Sequence, residues 1–218
     1  GRKLARDISA ALGKAGFVTI SGLALGIDGE AHAASLATGT VAVLGGAVDH
    51  VYPPQHERLY AEIAAKGLIL SESPFGYRAK AQDFPRRNRI ITGLSRGVVV
   101  VEAAERSGSL ISARMAGEQG REVMAMPGSP LDPRSSGTNR LIRQGATLVR
   151  HADDILEVLE SLPFSNVATN GDLFEGAPEP DLPQDLLTRI EHALSPHPMP
   201  IDEIARAAGE RGRKQPCL

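Results

Sequence analysis

RAKAQDFPRRNRIITGLSRGVVVVEAAERSGS, residues 78–109, sets six basic side chains ahead of an unbroken apolar run. The cations are Arg78, Lys80, Arg86, Arg87, Arg89 and Arg96, and the run is Val98-Val99-Val100-Val101, closed by Glu102. It is β-branched at every position and never alternates with polar residues, as expected of a strand covered on both faces of a parallel sheet. Residues 103–109 follow as a small-residue loop, and 110–119 carry helical spacing, with Ser107 or Ser109 available as N-cap. Strand, loop and helix start in that order present free backbone N–H groups, which favour an anion. Ahead of the strand, Pro85 suits the first turn of a helix over 85–95, placing Arg86, Arg87 and Arg89 in its opening turns. Cations there oppose the helix macrodipole, so a negative partner is the expected reason for them.

On the amino-terminal side, residues 2–15 place Leu4, Ile8, Ala11, Leu12 and Ala15 at helical spacing, with Gly16 as the stop. Strands are expected at 17–21, 41–44 and 68–70, and helices at 27–36 and 55–66. Beyond the central stretch come strands at 123–126 and 147–149 and helices at 138–144 and 153–160. Six strands alternating with helices specify an α/β protein with an open, doubly wound and mostly parallel sheet. Ligands of such sheets bind outside the carboxyl ends of the strands. Those ends read Ser21-Gly22, Gly45-Gly46, Ser71-Glu72, Glu102 to Gly108 and Pro127-Gly128, which predicts a shallow pocket where a ligand approaches the main chain closely. Residues 163–183 lose periodicity and gain Pro, Gly and acid, as a linker does. Residues 184–194 and 201–208 read as two short helices resembling the start of a helix-turn-helix, followed by a basic tail.

The formal net charge of −2 argues against nucleic acid until the chain is divided. Residues 1–150 hold 19 Lys and Arg against 13 Asp and Glu, a net of +6, whereas 151–218 hold 5 against 13, a net of −8. A single cysteine, Cys217, excludes an intramolecular disulfide or a thiolate metal cluster and fits a reducing cytoplasm. No apolar run approaches the ~20 residues that cross a bilayer, so no membrane partner is expected.

Several kinds of chemistry are poorly supported. The loop 22–29 lacks the Lys-Ser/Thr of a P-loop and the spacing of a dinucleotide fingerprint, and His32, His50 and His56 lack metal spacing. Asp28 and His32 could be a base and its orienting group, but a local cap and pair one turn apart is the simpler account. Ser107 and Ser109 lack a nucleophile elbow. Glu102 is expected to orient one of Arg86, Arg87 or Arg89 rather than to act as a base. A charge run is ordinarily a solvated face. Against that stand a second basic block, Arg134, Arg140, Arg143 and Arg150, with no acid between them, and Phe84 beside the arginines, where an aromatic could stack on an unpaired base or belong to the core.

Several motifs in order resemble the DNA-processing protein DprA (Smf) family over residues 2–160. They are Ser21-Gly22-x-Ala24-x-Gly26-Ile27-Asp28 with Ala31-His32, Phe84-Pro85-x-Arg87-Asn88-Arg89-Ile90-Ile91-x-Gly93-Leu94-Ser95, Glu102 with Ser107-Gly108-Ser109-Leu110, Pro127-Gly128, and Gly137-x-Asn139-x-Leu141-Ile142 with Gly145-Ala146. The resemblance implies an extended Rossmann-like domain over 1–162 that binds single-stranded DNA. It further implies a homodimer that protects incoming DNA and helps load RecA recombinase during natural transformation, with no catalysis and no cofactor. Carried onto this chain, the DNA-binding residues are Phe84, Arg86, Arg87, Asn88 and Arg89, the donor loop Ser107, Gly108 and Ser109, and Gly22, Gly26 and Asn139 along the same edge. Dimerisation maps near 147–159, and 184–218 corresponds to part of a winged-helix-like domain. The family's first strand, with its Gly-Ser/Thr-Arg turn, would precede Gly1.

The fold is also similar to lysine-decarboxylase-like phosphoribohydrolases, which act on nucleoside monophosphates and read P-G-G-x-G-T-x-x-E after the strand. Here Ser112 stands where that catalytic glutamate belongs, which ranks the enzyme below DNA binding. A scaffold that binds only proteins is the third candidate.

Overall fold

A computed structural model describes residues 1–162 and the helical positions 188, 189 and 192. The chain divides into two units, Gly1–Pro163 and Phe164–Leu218, and the first is described over residues 1–162. The predicted linker and helix-turn-helix lie outside the described residues, except that Thr188, Arg189 and His192 fall within the helix expected at 184–194.

In chain order the elements are α1 (Arg2–Lys14), β1 (Thr19–Ser21), α2 (Ile27–Ser35), β2 (Thr40–Val43), α3 (Glu57–Lys66), β3 (Leu68–Leu70), α4 (Asp83–Leu94), β4 (Gly97–Val100), α5 (Gly108–Glu118), β5 (Glu122–Ala125), α6 (Ser136–Arg143), β6 (Thr147–Leu148) and α7 (Ala152–Ser161). Single 3₁₀ turns precede α3 and α6. Every strand pair is parallel. The strands form two three-stranded sheets, β1-β2-β3 and β4-β5-β6, where the sequence suggested one continuous ladder.

The valine run behaves as its composition requires. Val98 and Val100 pack with Ala103, Ala113 and Leu110, while Val99 and Val101 pack with Ile8, Met124, Val149 and Ile155. Alternate residues of one strand thus enter two separate apolar clusters, so both faces of β4 are covered. A third cluster, Leu23, Ala42, Leu44 and Ile63, lies about the first sheet with Tyr60 and Ile69 against it.

The buried face of α1 differs from the expected stripe. Ala5, Ile8, Ser9 and Gly13 are buried and Leu4 is 44% exposed, because α1 packs closely along α2. A Cβ at Gly13 would collide with Thr38, and Arg6 pairs with Glu30 of α2. Small residues let the two helices approach, and Leu4 is turned outward as a result. Helix α4 touches β1, β2 and α5, where Thr92 Oγ1 lies 2.6 Å from Gln119 Oε1 and Gln119 Nε2 donates to the Arg89 carbonyl at 3.0 Å. It therefore packs on the first sheet on one side and on α5 on the other. No helix among the described residues is long and apolar enough to cross a membrane.

Candidate nucleic-acid interface

Helix α4 begins two residues before the predicted start. Asp83 Oδ2 accepts the Lys80 N–H at 2.8 Å and the Tyr77 hydroxyl at 2.9 Å, closing the loop onto the helix start. The backbone donor holds the Asp83 carboxyl below its ordinary value, and the same carboxylate, accepting the phenol proton, pushes Tyr77 up.

The six cations of the central stretch divide into two groups. Arg87 is buried: Nη1 donates to the Gly22 carbonyl at 2.9 Å and to the Val43 carbonyl, and Nε donates to Asn88 Oδ1 at 3.1 Å. Burial pulls its pKa down, opposed by Asp28. It is a strut tying the ends of β1 and β2, with its guanidinium carbon 5.9 Å from the Phe84 ring centroid. Arg89 pairs with Glu72 after β3, and Arg96 Nη2 donates to the carbonyls of Leu159 and Leu162 at the end of α7. Arg87 and Arg96 hold structure, whereas Arg89 remains half exposed in its pair with Glu72. Arg78, Lys80 and Arg86 are exposed. Lys80 sits 6.0 Å from the Tyr77 ring, and Arg86 interacts with the Asp83 carboxylate through space without closing a salt bridge to it.

Beside Arg86 a cavity of about 280 Å³ opens beyond the ends of β2 and β3, lined among others by Gly45, Glu72, Tyr77, Asp83, Arg86 and Arg87. Phe84 stands next to it, with the Tyr52 ring centroid at 5.3 Å and the two planes inclined by 38°. Tyr52 lies in the β2–α3 connection, and no sequence signal singled it out.

The glycines act differently from the expectation. A Cβ at Gly22 would fall 2.5 Å from Arg87 Nη2, one at Gly45 would fall 3.2 Å from Phe84, and one at Gly46 would fall 2.9 Å from the Ala79 nitrogen. The close approach to the main chain is made by the protein's own side chains and loop. Gly26, at φ +98°, leads into α2, while Asp28 Oδ2 accepts the N–H groups of Gly22 and Ala24 at 3.1 Å each. His32 takes Thr40 Oγ1 at 2.7 Å instead of Asp28, so the expected pair is replaced by separate hydrogen bonds from each residue, two at Asp28 and one at His32.

Gly22, Phe84 and Arg87 meet at the first sheet. Ser107, Gly108, Ser109 and Asn139 belong to the rim of the second. Ser107 caps α5, accepting the Ser109 N–H at 3.3 Å, and nothing lies within 4 Å of a Cβ built at Gly108. The α5 N-terminus is therefore open to an anion, and its first turn carries no acid. Asn139 clasps Gly128, donating to its carbonyl at 2.9 Å and accepting its N–H at 3.1 Å. Asn139→Ala is expected to lower stability in urea by about 1–2 kcal/mol through loss of both bonds; an unchanged midpoint would show that the turn holds without them.

Two other expectations are corrected. Glu102 lies 4.0 Å from Arg134 and does not pair with the α4 arginines, because it follows a strand of the other sheet. In the second basic block, Asp132 takes Arg134 at 2.8 Å and Asp154 takes Arg150 at 2.9 Å, so acids just outside the block neutralise both ends. Arg140 and Arg143 are exposed. No group of His, Cys, Asp and Glu that could hold a metal occurs among the described residues.

A parallel α/β unit whose edge carries aromatics, a cavity lined by both arginines and acids, and an open helix start belongs with the open-sheet proteins that take ligands at that edge. Residues 1–160 match the model of the DNA recombination-mediator protein A family, and the chain belongs to that family. It is 46% identical over 169 residues to DNA processing protein DprA of Bacillus subtilis, covering 77% of this chain and 56% of that one. It is 48% identical over 163 residues to protein Smf of Escherichia coli, covering 73% and 44%. The chain thus spans about half the length of these relatives. Among solved structures, DNA processing protein A of Streptococcus pneumoniae superposes with a TM-score of 0.67 at 44% identity, covering 72% of this chain and 56% of that one. That of Helicobacter pylori, described for its single-stranded DNA binding mode, gives 0.68 at 31% identity and covers 73% of each chain.

Proposed function

We propose that this chain binds single-stranded DNA at the rim formed by the ends of β2 and β3 and the start of α4, as part of a recombination mediator. The observation that carries this is Arg86, an exposed cation at the mouth of a cavity bordered by Tyr77 and flanked by Phe84. Arg78, Lys80 and Arg86 supply the salt-dependent attraction to phosphate, and an aromatic ring takes a base, a combination that favours unpaired strands over duplex. Asn88, Arg89 and the open loop Ser107-Gly108-Ser109 extend the site, while Arg87, Gly22 and Gly26 shape it. Loading of RecA and pairing of two copies through the region of β6 and α7 are finer parts of the proposal. The second rests on β6 being a two-residue edge strand whose Leu148 is 46% exposed. The chain acts as a binding protein and not as an enzyme.

Fluorescence anisotropy of labelled oligo-dT and of its duplex at two salt concentrations tests the binding site. The comparison is with an Arg86→Ala, Arg89→Ala variant that leaves the Arg87 strut in place. The expected result is preference for the single strand and a loss in the variant on the order of tenfold or more. Its log–log salt slope should be shallower by roughly 0.7 per phosphate contact removed. Equal binding of duplex and single strand, or an unaffected variant, would refute this site. RecA assembly on a strand already coated with single-strand-binding protein, with and without the chain, tests the loading step.

A further inference from the structure

The sequence drew attention to Phe84 as the stacking aromatic, yet its surroundings are largely filled by the protein itself. Tyr52 lies 5.3 Å away between centroids, the Arg87 guanidinium carbon lies 5.9 Å from the ring, and the Gly45 backbone sits against its edge. Tyr52, by contrast, is 58% exposed. The connection that carries it is fastened on several sides. Asp49 accepts the Gly76 N–H at 2.9 Å, the Ala47 N–H donates to the Tyr77 carbonyl at 2.9 Å, and the Tyr60 hydroxyl donates to the Val48 carbonyl. An aromatic ring backed by a second ring, on a loop tied to the wall of the cavity that Arg86 borders, is a pre-positioned flat surface that loses little side-chain freedom on contact.

We propose that Tyr52 is the ring on which a nucleobase stacks, with Phe84 as its support from behind. This rests on the single-strand binding proposed above and moves the base one ring outward from Phe84. Phe84 passes the rigidity of the Arg87-tied strand ends to the loop, and Tyr52 meets the ligand. Such a contact is indifferent to base identity, because every base offers a π-face.

The test uses the full chain, a dT oligomer, and an abasic oligomer of the same length that keeps every phosphate and lacks every base. Tyr52→Leu is expected to weaken dT binding on the order of tenfold, and Tyr52→Phe to stay within about twofold of the unmodified chain. Neither should change abasic-oligomer binding or the salt slope. The chain has no tryptophan, so Tyr52→Trp places a sole reporter at the site. Its emission should be quenched by the dT oligomer and not by the abasic one. Unchanged dT binding by Tyr52→Leu, an equal loss on both oligomers, or equal quenching by both overturns the assignment of Tyr52 while leaving single-strand binding standing. Absence of dT binding by the unmodified chain overturns both.

Discussion

Arg87→Ala is expected to destabilise the described domain by about 3–5 kcal/mol, the range for removing a buried, multiply bonded charge and stranding its partners. The side chain is 7% exposed and spans from α4 to the carbonyls at the ends of β1 and β2. Its removal leaves both carbonyls buried beside an empty volume and takes the guanidinium from beside Phe84. For a domain of this size the melting temperature should fall by roughly 10 °C. Arg87→Lys should recover only part of the loss, because one ammonium cannot reproduce a fork of donors. Circular dichroism during thermal and urea unfolding measures all three chains. A melting temperature unchanged in Arg87→Ala would refute the strut. Loss of DNA binding in that variant would not identify a phosphate contact, since the proposed site rests on the strand ends that Arg87 joins.

Acid should weaken the fold through His32, which is fully buried. Thr40 Oγ1 donates to the Thr19 carbonyl at 3.1 Å, so at its 2.7 Å contact it accepts from His32 Nδ1. In the neutral ring that leaves Nε2 as a bare acceptor, and it has no hydrogen-bond partner. Burial lowers the pKa from 6.5 to about 4; His56 and Arg87 add to the shift, while Asp28 and the Ser21 backbone oppose it. The unfolded chain therefore takes up a proton near 6.5 that the folded chain refuses until about 4. Stability is fully present above 6.5, falls as pH drops through that window, and levels off below 4, for a loss of about 3 kcal/mol. Urea unfolding across this range should give a steeper pH dependence for the unmodified chain than for His32→Asn, which keeps an amide donor for Thr40 and cannot titrate. Parallel curves would remove His32 as the cause.

Local physics made much of this protein legible. Four consecutive β-branched residues cannot alternate between water and core, so β4 had to be covered on both faces, and it is. Gly or Ser after five of the six strands, and helical spacing in between, were enough to set element order within a few residues. Cation type and spacing placed a basic stretch at the start of α4. What spacing could not decide was the use of each cation, because exposure and partners depend on residues far away in the chain. Arg87 meets Gly22 across 65 positions, and Arg96 meets Leu159 across 63. Arg86 and Arg87 are neighbours on one helix and border one cavity, yet the first is exposed and the second is buried against the carbonyls of Gly22 and Val43. Tyr52 gave no signal either, since its place beside Phe84 exists only once β2 and α4 are packed together. The amino-acid sequence by itself determined the alternating α/β architecture and where the charge gathers, since propensity and patterning act over a few residues. Only the tertiary structure decided which charges are consumed in holding strand ends and which aromatic faces outward, because desolvation and pairing are set by neighbours that folding brings together.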